Sequence, residues 1–257
     1  KKTCKKFKID FFTSPYDLNY VDEIYKDICA YKIGSGDITW TEIIEKISKK
    51  KKPVILATGA SSIEDVNRAV KIIKRNNNKL VIMQCNTNYT GDKNNINYSN
   101  LNVLDHFNNK FKKKVVLGLS DHTFGHTTVL GAVAKGARVI EKHFTDNNSR
   151  TGPDHHFAMN PKTWKKMVEA TRELESSLGD GIKKVEKNEI NSKIVQQRSI
   201  RAKKIIKSGE KITKDKLICL RPKTLKGLEP YFINKIVGRI SKKNIIKHQE
   251  INWKIIK

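Results

Sequence analysis

From residue 1 to about residue 175, short apolar runs rich in β-branched residues alternate with amphipathic segments. No other feature constrains the fold as tightly. Strand-then-helix alternation implies parallel strands joined by crossover helices. The strand candidates are 8–12, 30–33, 53–56, 80–85, 115–119 and 137–142. The helix candidates are 17–27, 40–49, 62–75, 101–108, 127–135 and 161–178. Ser61 and Ser62 stand before the third of these helices with Glu64 in its first turn, as a helix N-terminus prefers.

Each strand candidate runs into a polar segment: TSP, GSGD, ATGAS, NTNYTG, SDHT and HFTD in turn. A doubly wound sheet gathers its ligands at one switch point. A closed barrel carries them after most of its strands. The expected fold class is therefore α/β, a (β/α)8 TIM barrel with six of its eight units in this chain. The expected domains are a partial barrel over 1–178, a polar and partly helical linker over 179–198, and a small β module over 199–257. In that module IIKSGEKI at 205–212 is echoed by IIKHQEIN at 245–252, a sign of internal pseudo-symmetry. The chain begins at Lys1 rather than Met, so we expect a front that is processed or absent.

The formal net charge is +26 over 257 residues. Such a balance raises nucleic acid as a partner. Here the charge is mostly lysine, spread from end to end, and aromatic residues are only 7%. A nucleic-acid surface would cluster the two, so we expect no nucleic-acid partner. No apolar run has the 18 residues of a membrane span and no signal peptide is visible, so no membrane partner is expected. Cys4, Cys29, Cys85 and Cys219 form no CxxC pair. Cys29 and Cys85 lie in apolar runs and read as buried free thiols of a reducing cytoplasm.

The sharpest chemical pair is His122, after VVLGLSD, and His143, after ARVIE. On neighbouring strands about 5 Å apart, both would stand at one rim. Period-two alternation puts Gly118, Ser120 and His122 on one face, and Val139, Glu141 and His143 on one face of the next strand. Two imidazoles with open positions suit a divalent Lewis acid such as Mn²⁺ or Zn²⁺, with Glu141 as an acid–base group. In AYKIGSGD, the cationic head of Lys32 suits a phosphate or carboxylate, and Ser35 lies in the same segment. Asp37 suits a sugar hydroxyl. Thr58 in ATGAS leads into a helix N-terminus, a natural anion site. Thr13, Tyr89 in NTNYTG, and Asp154 in GPDHHF are further rim groups. His126, His155 and His156 are weaker candidates, and His106 and His248 read as surface residues.

The runs SP-D (14–17), YKIGSGD, VILATG, QCNTNYTG, LGLSDHT, EKHFT and GPDH, in this order, resemble the sialic acid synthases. The tail SIRA…GEKIT…LRP…VGR resembles their antifreeze-like SAF domain. The resemblance implies a TIM barrel, represented by strands three to eight, followed by a β-clip SAF domain. It implies a metal-dependent enzyme condensing phosphoenolpyruvate with an N-acetyl amino sugar and releasing phosphate. N-acetylneuraminate would be the product, or legionaminate or another nonulosonic acid; a catalytically inactive sugar-binding protein is the alternative. His122 and His143 match the metal ligands, with Mn²⁺ expected ahead of Mg²⁺. Thr13, Lys32, Ser35, Thr58 and Ser120 match positions around phosphoenolpyruvate. Tyr89, Asp154 and Arg221 match the sugar site, with Glu141 and Asp37 as its catalytic carboxylates. A domain-swapped homodimer is implied, in which Arg221 reaches the partner's site. Three departures stand out: Ala57 where the family usually has Ser, Thr90 where it often has Pro and, the largest, the expected absence from this chain of the family's first two strands, which carry a Glu near the sugar and a Lys that helps bind phosphoenolpyruvate.

Overall fold

The computed structural model describes residues 1–257 apart from the Lys113 side chain. The chain divides into two units, Lys1–Asp180 and Gly181–Lys257.

The first unit is built on five parallel strands: β1 (Tyr31–Ile33), β2 (Val54–Ala57), β3 (Leu80–Cys85), β4 (Val116–Asp121) and β5 (Val139–Lys142). Their order in the sheet is their order in the chain, so there is no switch point. Among the described residues seven α-helices accompany them: α1 (Lys2–Lys6), α2 (Leu18–Glu23), α3 (Thr41–Lys49), α4 (Ile63–Asn76), α5 (Val103–Phe111), α6 (Thr127–Ala134) and α7 (Pro161–Ser177).

Helix starts are written in local chemistry. Asp17 caps α2 by accepting from the Asn19 and Tyr20 amides. Ser62 and Asp65 form a capping box on α4, and Asn160 and Thr163 form one on α7 with Pro161 in its first turn. Gly136 follows α6 at φ 95°, a left-handed exit that a side chain would resist. Val66, Ala69, Val70 and Ile73 line the buried face of α4 at helical spacing. They join Ile43, Ile44 and Ile47 of α3 and the outward side chains of the strands in one core. Each such aliphatic side chain contributes roughly 1.5–3 kcal/mol by leaving water.

The sheet is curled. On its inner face Ala30, Ile55 and Met83 pack together with Val81 and Val139. Lys32 on β1 reaches Glu141 on β5, with Nζ 3.1 Å from Oε1. In a flat sheet those strands would stand about 19 Å apart, beyond the joint reach of the two side chains. The unit is therefore a half-barrel with a concave inner face.

Residues 8–12, expected as a strand, do not form one. Lys8 takes φ 55° and cuts the extended run short after α1. The segment still runs beside β1, where Cys29 N donates to Phe11 O and Lys32 N donates to Thr13 O, both at 3.2 Å. Only Thr13 makes a bridge, to Tyr31. Cys29 is exposed, contrary to its expected burial, because its segment lies at this edge of the sheet; Cys85 is buried. All four cysteines are free thiols.

In the second unit the expected linker has structure of its own. Residues 187–189 form a 3-10 turn leading into α8 (Ile190–Gln196), and Lys223 N donates to Ile194 O. Beyond it lie β6 (Ser199–Ala202), antiparallel to β7 (Leu217–Leu220), and the short helix α9 (Ile233–Ile236). The core is almost all isoleucine, with Ile200, Ile206, Ile212, Ile245 and Ile251 fully buried. The two echoed segments meet there: Ile206 and Ile245 exchange both backbone hydrogen bonds, at 2.9 and 2.8 Å.

Candidate active site

Strand register sets the inner face in layers. Ala57, Met83, Gly118 and Val139 are register partners across β2 to β5, and Cys85, Ser120 and Glu141 form the next layer. Gly118 is needed in the lower layer, since a Cβ there would lie 2.8 Å from Val139 O and 2.9 Å from Met83 Cγ. In the upper layer Ser120 Oγ donates to Glu141 Oε1 at 2.7 Å, the same oxygen that Lys32 meets. Ser35 Oγ, in the 3-10 turn after β1, accepts from Gly59 N at 2.9 Å.

Above this layer stand the two histidines. Their ring centroids are 5.1 Å apart, and the Tyr89 ring lies 4.2 Å from His122 and 5.6 Å from His143. Phe157 flanks His143 on another side, with centroids 5.3 Å apart. His122 Nδ1 sits 2.8 Å from Asn86 O. A carbonyl only accepts, so Nδ1 carries the hydrogen and Nε2 the lone pair. His143 Nδ1 faces Asp154 Oδ2 at 3.4 Å, which favours the same tautomer.

The electrostatics follow from burial. Desolvation lowers the His122 pKa, despite its hydrogen bond to Asn86, and keeps the imidazole neutral at pH 7. Burial pushes the Cys85 thiol up, against the hydroxyls of Ser35 and Ser120, so it stays protonated at the centre of the cluster. It also raises Tyr89, helped by the negative charges of Glu141 and Asp154. The Asp37 carboxyl is raised by burial alone.

The structure thus brings Lys32, Ser35, Tyr89, Ser120, His122, Glu141, His143 and Asp154 to one end of the concave face. Thr13 adjoins it through its bridge beside Lys32. Thr58 is not brought in: it points to the other face of β2, its hydroxyl donating to Met83 O at 2.9 Å. Gly59 faces the cluster instead, where a Cβ would meet Thr87, Cys85 and Ser35. Arg221 lies exposed in the second unit, just after β7. Sequence reasoning missed Cys85 as a site residue, the Asn86 carbonyl, and a buried ion pair between Asp121 and Lys142 behind the histidines.

The donor set fits a divalent cation. Each imidazole has its Nδ1 engaged, by a carbonyl and by a carboxylate, and its Nε2 left as a ligand, the arrangement typical of metal-binding histidines. Among the described residues no third His, Cys, Asp or Glu joins them. An ion held by these two imidazoles alone would keep open coordination positions, with one protein ligand fewer than the three usual at a catalytic zinc. No helix among the described residues is long and apolar enough to cross a membrane.

Comparisons with known proteins agree with this geometry. Residues 1–183 match the NeuB family and residues 197–256 match the SAF domain. The chain is 35% identical to an N,N'-diacetyllegionaminic acid synthase of Campylobacter jejuni, over 94% of this chain and 71% of that protein. It is 34% identical to a pseudaminic acid synthase of the same species, over 95% and 69%. Among solved structures it resembles the N-acetylneuraminic acid synthetase of Leptospira borgpetersenii, with a TM-score of 0.69 and 28% identity over 75% of this chain and 66% of that one. A truncated 3-deoxy-D-arabino-heptulosonate 7-phosphate synthase of Thermotoga maritima shares the fold at a TM-score of 0.60 and 16% identity, covering 69% and 70%. That likeness places the half-barrel among TIM-barrel-like folds. With a family match over most of its length and relatives that are nonulosonic acid synthases, this chain belongs to the NeuB family and carries a C-terminal SAF domain.

Proposed function

We propose that this chain carries the site of a nonulosonic acid synthase that condenses phosphoenolpyruvate with an N-acetyl amino sugar and releases phosphate. One observation carries the reading. A lysine paired with a hydrogen-bonded carboxylate and two neighbouring imidazoles share a single concave face.

Lys32 and Ser35 would hold the anionic donor, and the Gly59 backbone leaves room for its approach. Tyr89 and Asp154 would border the sugar. His122 and His143 would hold the divalent ion, Mn²⁺ ahead of Mg²⁺, which when bound supplies Lewis-acid polarisation of the sugar's aldehyde oxygen. Carbon C3 of phosphoenolpyruvate then attacks the carbonyl carbon. Water adds to the cation developing at C2, and phosphate leaves by C–O cleavage. Glu141, paired with Lys32 and hydrogen-bonded to Ser120, would take a proton from that water. Asp37, its carboxyl raised by burial, would accept a hydrogen bond from a sugar hydroxyl. We read the assembly as a homodimer in which Arg221 selects the N-acetyl group at the partner's site, and the setting as cytoplasmic.

The second reading is a sugar-binding protein without catalysis. Ala57 supports it, because this position has no hydroxyl to offer a phosphate. Incubation with phosphoenolpyruvate, Mn²⁺ and a panel of amino sugars, N-acetylmannosamine and its diacetamido counterparts among them, separates the two. A product heavier than the sugar by one pyruvate unit supports the synthase. Sugar binding with no product from any member supports the second reading.

A further inference from the structure

Behind the two histidines, on the opposite face of the sheet, lies a fully buried ion pair. Lys142 Nζ is 2.6 Å from Asp121 Oδ2, and the two side chains are 2% and 3% exposed. Lys142 also donates to Thr123 O at 2.7 Å. Asp121 is saturated in turn: its Oδ1 accepts from Thr123 N at 3.0 Å and its Oδ2 from Thr128 Oγ1 at 2.6 Å. The network joins the end of β4, the turn after it, the first turn of α6 and the end of β5.

Its position is informative. The preceding outward residues, Leu117 and Leu119 of β4 and Ile140 of β5, are apolar and pack into the core. On this outward face charge appears only at the last register pair of the β4–β5 ladder, Asp121 with Lys142. His122 lies between two residues of the network, Asp121 and Thr123, and His143 directly follows a third. An apolar pair of similar volume would be as stable or more so, because desolvating two charges offsets most of their attraction. What the charged pair adds is direction: each polar atom has a fixed partner, so both strand ends are locked at set angles.

We propose that Asp121 and Lys142 are positioning residues that hold the His122 and His143 imidazoles at their working separation, and so set the affinity of the site for its divalent ion. The affinity clause rests on the reading of those histidines as metal ligands; the separation clause does not. Lys142→Met alone would strand a buried carboxylate and risk unfolding, so the informative variant is Asp121→Leu/Lys142→Met. Its fold is read by circular dichroism and thermal melting, its Mn²⁺ affinity by calorimetry, and its His122–His143 ring separation by crystallography. We expect a folded protein whose Mn²⁺ affinity is about 10- to 100-fold lower and whose rings have left their 5.1 Å separation. Leu117→Ala, a core change on the same strand, should lower the melting temperature and leave Mn²⁺ affinity unchanged. A folded double variant with native affinity and native ring separation would overturn the proposal. If the native chain itself binds no Mn²⁺, the metal reading fails, and the ring separation alone decides whether the pair positions the histidines. Should the double variant not fold, Thr128→Val removes a single donor to Asp121; altered ring geometry supports the proposal and native geometry sinks it.

Discussion

At the residue scale the site depends on hydrogen bonds that fix tautomers. His122→Gln or His143→Gln removes a ligand, and we expect Mn²⁺ binding to weaken by more than about 100-fold, measured by titration calorimetry. Asp154→Asn keeps both imidazoles and changes the partner of His143 Nδ1; a loss of about tenfold in Mn²⁺ affinity, measured without sugar, is expected there. Tyr31 supplies an independent check on packing. It is fully buried, its hydroxyl donates to Val21 O at 2.5 Å, and desolvation pushes its pKa up to about 12. An unfolded tyrosine ionises near pH 10, so between the two values only the folded state keeps the proton. Stability from this group is therefore present below pH 10 and is lost as pH rises toward 12, by about 1.4 kcal/mol per pH unit. In Tyr31→Phe that slope should vanish from denaturant melts compared with the native chain; an unchanged slope would show that Tyr31 ionises freely. Most site residues were legible because His, Glu, Lys and Ser followed strand candidates at matching parity. The Asn86 carbonyl was not, since a backbone acceptor leaves no mark on side-chain identity. The Asp121–Lys142 pair could have been read, for the same parity that turns His122 and His143 inward turns their neighbours outward into the core.

At the element scale, β1 to β5 all fall where apolar runs end in polar residues, with boundaries off by one or two residues. The miss at 8–12 has a physical cause. Apolar composition there met a left-handed turn at Lys8 and a single neighbouring strand, leaving Ile9 and Phe12 exposed. The end of α5 was also missed. It runs three residues beyond expectation, to Phe111, because that ring packs against the core and the Phe107 ring. Layer packing makes Gly118 the most sensitive strand position. Gly118→Ala presses a methyl group onto Met83 and the Val139 carbonyl, and a loss of about 1–3 kcal/mol is expected in equilibrium unfolding. Native stability in this variant would mean that the inner layers are looser than the register implies.

At the scale of the whole molecule, two cores serve two units, and residues 179–198 are exposed throughout. Limited trypsin digestion should cut first among Lys183, Lys184, Lys187 and Lys193, and leave two resistant fragments. First cuts within 54–142 would contradict the division. The half-barrel was legible from strand–helix alternation, and its curl from the polar segments that follow most of its strands. The contact that expresses the curl, Lys32 reaching across the concave face to Glu141, was not legible, and it also makes the site. The proposed condensation is tested most directly by phosphate release from phosphoenolpyruvate, measured with an N-acetyl amino sugar after chelation and again after Mn²⁺ is restored. We expect release only with both sugar and metal present, and none in His122→Gln. Undiminished release in chelator, or in His122→Gln, would contradict a metal-dependent condensation at this site.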